Sequence, residues 1–151
     1  MSTVDQKILD SLFRDIVKFY SSSKTSIITL RALINAIKFL ECKDDMFRVQ
    51  IMEVCKTITN SQPRMFPIDN LIILFEHELE KNDFFEDKDI SIKKSATIEI
   101  LEDLIIRLNY DMKELANQGL DHITDGDFIV LHAAEEPVEL LLPEAKNMGR
   151  E

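Results

Sequence analysis

LANQGLDHITDGDFIVLHAAEEPVELLLPEAKNMG, residues 115–149, reads as the end of a helix, a tight turn, a short buried strand and a new helix. Phe128, Ile129, Val130 and Leu131 follow the Asp125-Gly126-Asp127 turn as an unbroken apolar run, the pattern of a strand covered on both faces. Pro137 suits the first turn of the next helix, whose apolar residues are Val138, Leu140, Leu141, Leu142 and Ala145. This is the opening of a parallel α/β unit that the sequence does not finish. A lone strand leaves its ladder groups unpaired, so its partners are expected from a longer parent chain, another subunit or a swapped copy.

Upstream of this stretch the periodicity is helical. Ile8, Leu9, Leu12, Phe13, Ile16, Val17 and Tyr20 recur at three- and four-residue spacing, and Ser21-Ser22-Ser23 reads as the connector that follows. Thr25 or Ser26 is the expected cap of a second helix through Ile27, Leu30, Leu33, Ile34, Ile37 and Leu40. Asp44 or Asp45 is the expected cap of a third through Phe47, Ile51, Val54, Cys55 and Ile58. Pro63 and Pro67 interrupt the pattern, and Pro67 fits the first turn of a fourth helix through Leu71, Ile72, Leu74, Phe75 and Leu79. From Ile90 to Ile123 it resumes, with a kink or break expected at Asn109-Tyr110-Asp111, since neither Asn nor Asp favours a helix interior.

Composition agrees with this outline. A chain of 151 residues, 45% hydrophobic and 30% charged, has the make-up of a globular protein with a real core. The net charge of −10 argues against a non-specific nucleic-acid binder, which needs clustered Lys and Arg, and favours basic protein partners. Cys42 and Cys55 form neither a CxxC pair nor a disulfide framework and read as free thiols in a reducing compartment. The start, MSTVDQKILDSLFRD, is unlike a signal peptide, and no apolar run has the length of a membrane span, so a cytoplasmic location is expected.

LANQGLDHI at Leu115 to Ile123, with Gln118 and His122 inside it, then Asp127, the apolar run ending at His132 and the helix after it resemble one known family. They are similar to the start of the carboxy-terminal domain in the regulatory α, β and δ subunits of eukaryotic translation initiation factor 2B. A second match, NSQPRMFPIDNLI at Asn60 to Ile72, resembles the same family through Gln62, Pro63 and Asn70, and favours a β-like subunit. The superfamily also holds sugar-phosphate isomerases such as methylthioribose-1-phosphate isomerase. The resemblance implies a non-catalytic regulatory subunit of the guanine nucleotide exchange factor for initiation factor 2. Its partners would be the other subunits of initiation factor 2B and the α subunit of initiation factor 2, whose phosphorylation the helical domain helps to sense. The alternative is a fragment of an isomerase, but in those enzymes the catalytic cysteine and aspartate lie further along the α/β domain.

Candidate chemistry is sparse, and no catalytic, cofactor or metal residue is assigned. Residues 76–89, EHELEKNDFFEDKD, hold seven carboxylates against two lysines, a local formal charge of −5. A solvated helix end accounts for that charge; the functional reading is a docking surface for a basic partner, made of Glu76, Glu78, Glu80 and Asp83 with Phe84 and Phe85 as anchors. His77 has no second histidine at the spacing of HExxH and reads as charge solvation. His122 beside Asp121 suits a helix end, while His132 ends the expected strand, where α/β sites assemble. Ala134, Glu135 and Glu136 stand where family members often carry a small residue, a serine and a basic residue. Two carboxylates there would repel a phosphate at the following helix N-terminus. The expected fold is mainly α: a bundle of about five or six helices over residues 1–125, then the first strand and helix of a truncated Rossmann-like domain over residues 126–151, with possible self-association.

Overall fold

A computed structural model of the chain describes residues 3–82, 89–132 and 135–150, without the side chains of residues 3–6 and 9. The protein is mainly α. Its helices are α1 (Thr3–Phe19), α2 (Ser22–Phe39), a single 3-10 turn (Asp44–Met46), α3 (Phe47–Thr59), α4 (Phe66–Glu80), α5 (Ile90–Leu120) and α6 (Glu136–Asn147). Two compact units divide within α5, Met1–Ile105 and Ile106–Glu151.

In the first unit, α4 packs against α2 and α3, and α1 against α2. Phe13 of α1, Leu30, Leu33 and Ile37 of α2, Phe47 and Ile51 of α3, Ile72, Phe75 and Leu79 of α4, and Leu101 of α5 form one buried cluster. Each such side chain contributes about 1.5–3 kcal/mol on leaving water. Buried hydroxyls interrupt this core without leaving unmet donors. Thr25 and Thr29 on α2 and Thr97 on α5 donate to the carbonyl four residues back, at 2.9, 2.9 and 2.7 Å. Buried Lys93 reaches the Asp44 carbonyl at 3.2 Å and ties α5 to the 3-10 turn.

Several boundaries differ from the expected ones. Ser21 is a cap rather than a connector: its hydroxyl accepts the Lys24 N–H at 3.3 Å and α2 starts one residue later, with Thr25 and Ser26 inside it. Asp44 and Asp45 open the 3-10 turn instead of capping α3. Pro67 and Pro137 do occupy the first turns of α4 and α6. α5 runs through Asn109-Tyr110-Asp111 without the expected break. Met112 and Ala116 are buried one helical turn apart there, and their packing outweighs propensity penalties of at most about 0.7 kcal/mol per residue.

The second unit holds the end of α5, a turn, an irregular apolar segment and α6. The turn closes twice: the Asp127 N–H donates to the Thr124 carbonyl at 3.2 Å, and the Thr124 N–H to Asp127 Oδ2 at 2.7 Å. Gly126 sits inside at φ +86°, a conformation that costs other residues about 1–2 kcal/mol. α6 ends in a Schellman motif. Gly149, at φ +76°, donates to the Lys146 carbonyl, and the Arg150 N–H reaches back to that of Ala145. That reversal brings the Arg150 guanidinium to α5, where Nη1 donates to the Leu120 carbonyl and, at 2.9 Å, to that of Ile123. Gly119 lets Leu141 approach closely, since a Cβ there would lie 3.1 Å from a Leu141 methyl.

The expected strand at residues 128–132 is not formed. The segment has no regular secondary structure and no ladder pairing among the described residues, and Phe128 is 94% exposed. A strand exists by pairing with a neighbour, and the apolar run alone supplies none.

Candidate interaction surface

The loop from Ser61 to Met65 links α3 to α4 and is fixed from both sides. The Gln62 N–H donates to Asp10 Oδ1 of α1 at 2.8 Å, and the peptide bond from Gln62 to Pro63 is cis. Arg64 Nε donates to Asp69 Oδ2 at 2.7 Å, and its guanidinium lies 5.6 Å from the centre of the Phe66 ring. Asp69, in the first turn of α4, is buried, whereas Arg64 and Phe66 face water. A cation partnering the buried carboxylate explains how that charge is tolerated, and the ring stacks on a guanidinium already held in place. Asn70 follows one turn later, exposed.

The other motif residues lie in the second unit. Gln118, exposed near the end of α5, donates to Glu114 Oε1 at 3.4 Å, and His122 is exposed just past that helix. Asp127 closes the turn, and its carboxyl is held below the usual 3.8 first by the Thr124 N–H. His132 is exposed just after the apolar run. The two matched stretches thus do structural work, one fixing the start of α4 and the other shaping the passage from α5 to the apolar run. The model of the Initiation factor 2 subunit family matches residues 18–151, a span that takes in both stretches. The chain belongs to the Initiation factor 2 subunit family.

No curated protein and no solved structure gives a match beside it. Within this family member the acidic stretch is divided by helix geometry. Glu76 and Glu80 lie one turn apart on α4, while Glu78 points round the helix and pairs with Lys81 at 3.1 Å. Glu76 is half-buried and adds to the burial that pushes the Cys55 thiol up to about 12. Only Glu80 of the three presents an exposed side chain, and Asp83, Phe84 and Phe85 lie outside the described residues. His77 shares α4 with these carboxylates, whereas His122 and His132 belong to the other unit. Among the described residues no group of three His, Cys, Asp or Glu is placed to hold a metal ion, and no helix is long and apolar enough to cross a membrane.

Two surfaces escaped the sequence reading. An open apolar groove of about 960 Å³ lies between α1, α2 and α3, lined by residues including Leu12, Ile16, Ala32, Ala36, Val54 and Ile58. On α4, Ile73 and Leu74 are exposed beside Phe66. The continuous apolar run LIILF, residues 71–75, was the signal for the second: it supplies more apolar side chains than one helix face can bury.

Proposed function

We propose that this protein is a non-catalytic regulatory subunit of the guanine nucleotide exchange factor for translation initiation factor 2, acting in the cytoplasm. Its helical portion, residues 1–125, takes part in binding initiation factor 2 and in sensing phosphorylation of the α subunit. The segment that begins at residue 126 opens an α/β domain through which the subunit joins its fellow subunits. The observation that carries this reading is the family match over residues 18–151, in a chain whose apolar tract at 128–131 lies exposed. A tract of this composition becomes a buried strand once a sheet edge is offered to it. Gln62, Pro63, Asn70 and Gln118 favour a β-like subunit within the family.

Tagged full-length protein recovered from cytosolic extract, followed by mass spectrometry, tests the reading. The other exchange-factor subunits and initiation factor 2 should come with it. Replacing Phe128 and Val130 by aspartate should abolish recovery of the fellow subunits while leaving the helical signal in circular dichroism unchanged. Recovery of the protein alone, as a homodimer with sugar-phosphate isomerase activity, would sink the proposal.

A further inference from the structure

The turn that leads from α5 to the apolar run holds an aspartyl-glycine bond. Of the three glycines in the chain, only Gly126 follows an aspartate. In such a pair the side-chain carboxyl carbon and the next amide nitrogen are joined through one Cα, so that their closure into a five-membered ring is intramolecular. A Cβ on the second residue crowds the nitrogen, and glycine has none. Three features of the fold leave the ring room to form. Asp125, Gly126 and Asp127 are all exposed. A Cβ placed on Gly126 would meet nothing within 4 Å, so no packing surrounds the glycine. The two hydrogen bonds that close the turn use the amides of Asp127 and Thr124 rather than the attacking amide of Gly126. Asp15, Asp103 and Asp111, by contrast, lie inside α1 and α5, where the helical ladder engages the next amide and fixes the backbone around it.

We propose that Asp125 is a site of spontaneous isomerisation to isoaspartate, and that the product remodels the turn ahead of the apolar run. The Gly126 nitrogen attacks Cγ of the protonated Asp125 carboxyl. A new N–Cγ bond forms, and the amide proton and the carboxyl hydroxyl leave as water. A second water then opens the succinimide. Attack at Cγ restores aspartate, whereas attack at the backbone carbonyl carbon routes the chain through Cβ and Cγ and leaves that carbonyl carbon as a free α-carboxylate. Atoms and charge match those of the starting chain, but the backbone has gained one carbon inside the turn. The Asp127 amide and the Thr124 carbonyl, 3.2 Å apart in the native turn, then no longer close together with the bond of 2.7 Å from the Thr124 amide to Asp127 Oδ2. The new α-carboxylate is the group that an isoaspartyl methyltransferase esterifies with the methyl of S-adenosylmethionine.

The test ages the purified full chain in warm, mildly acidic buffer and follows cleavage by a protease that cuts before aspartate but not before isoaspartate. Cleavage before Asp125 should fall with time while cleavage before Asp103 and Asp111 persists, and methyl transfer by an isoaspartyl methyltransferase should rise in step. D125E should abolish both changes, since its six-membered ring closes far more slowly. G126A should slow them about tenfold, because a methyl stands beside the attacking nitrogen. D125N should speed them about tenfold with release of ammonia, because an amide needs no proton before the attack, as a carboxylate does. In the isoaspartyl form, resolved by ion exchange, the Thr124 amide should exchange at least about tenfold faster than in the native chain. Cleavage before Asp125 that stays complete in the aged chain, while a peptide of residues 121–130 loses it, would overturn the proposal, because the folded turn would then block the ring. Unchanged exchange of the Thr124 amide in the isoaspartyl form would overturn the remodelling of the turn.

Discussion

Phe75 and Phe128 are the same side chain in opposite circumstances. Phe75 is wholly buried among α2, α3 and α4 in the first unit, while Phe128 in the second is 94% exposed. The first unit covers Phe75 from within, by bringing helices distant in sequence onto one cluster. The second buries Met112, Ala116 and Ala145 and leaves the run from Phe128 to Leu131 in water. Apolar residues therefore sit in two settings in this chain, inside a core and in water, and a substitution experiment separates what they contribute. F75A should cost about 3–5 kcal/mol, read from the urea midpoint. F128A should change stability by less than about 0.5 kcal/mol. Equal costs would mean that the 128–131 tract is covered in the free chain, and the contrast would fail.

Arg150 sharpens the comparison from the other side, because its side chain ties the carboxy-terminal end of the second unit back to the end of α5. Two carbonyls near the end of α5 accept from it, those of Leu120 and Ile123. Hydrogen bonds with a charged donor of this kind are worth about 1.5–3 kcal/mol. R150A should therefore cost about 2 kcal/mol, and hydrogen exchange should quicken in α6 and the end of α5 while Leu30 and Phe75 in the first unit keep their protection. R150K should recover only part, since one ammonium lacks the fork of the guanidinium. Loss of protection in both units at once would show that they open together.

How much of this was legible in the sequence follows the range of the interaction responsible. Proline at a helix start acts locally, so Pro67 and Pro137 marked the beginnings of α4 and α6 correctly. The helical class followed from repeats of three and four residues. The cap of α2 was misplaced because a serine run offers several candidates, and only the Lys24 N–H meeting the Ser21 hydroxyl decides among them. Leu74 read as a core position of α4, yet half of it is exposed, whereas Ile68 lies inside; an apolar run does not say which side faces in. The strand at 128–132 was the strongest local signal of all and did not form, because its stability belongs to a pair of strands. Arg64 and Arg150 left no mark in the periodicity, since their partners are single acceptors fixed by the folded backbone.

The thiol of Cys55 gives a smaller contrast. Burial foremost, then the nearby Glu76 carboxylate, pushes it up from 9.0 to about 12. A raised thiol keeps its full contribution to stability below pH 9.0 and loses it as pH rises toward 12, because the unfolded chain ionises first. Native protein should thus resist alkylation at Cys55 at pH 8, when half-buried Cys42 reacts, and should lose stability in alkali; C55A should remove the alkaline loss. Rapid native labelling of Cys55 would mean that the first unit opens readily.

Asp127 runs with the opposite sign and with the least effect. The Thr124 N–H holds its carboxylate below 3.8, so the turn keeps that support above the usual carboxylate range and loses it as pH falls through the depressed value. The group is exposed, and water competes with the amide for its charge, so the consequence should be local. Exchange of the Thr124 amide should speed up as pH is lowered past 3.8, after correction for the intrinsic rate, and D127A should show the faster exchange at every pH. D127N should sit between them and lose the pH dependence, because a neutral amide oxygen still accepts but no longer titrates. If D127A and the wild type exchange alike at pH 7, the turn is held by Gly126 and the Asp127 N–H alone, and Asp127 has no part in presenting the apolar run that follows.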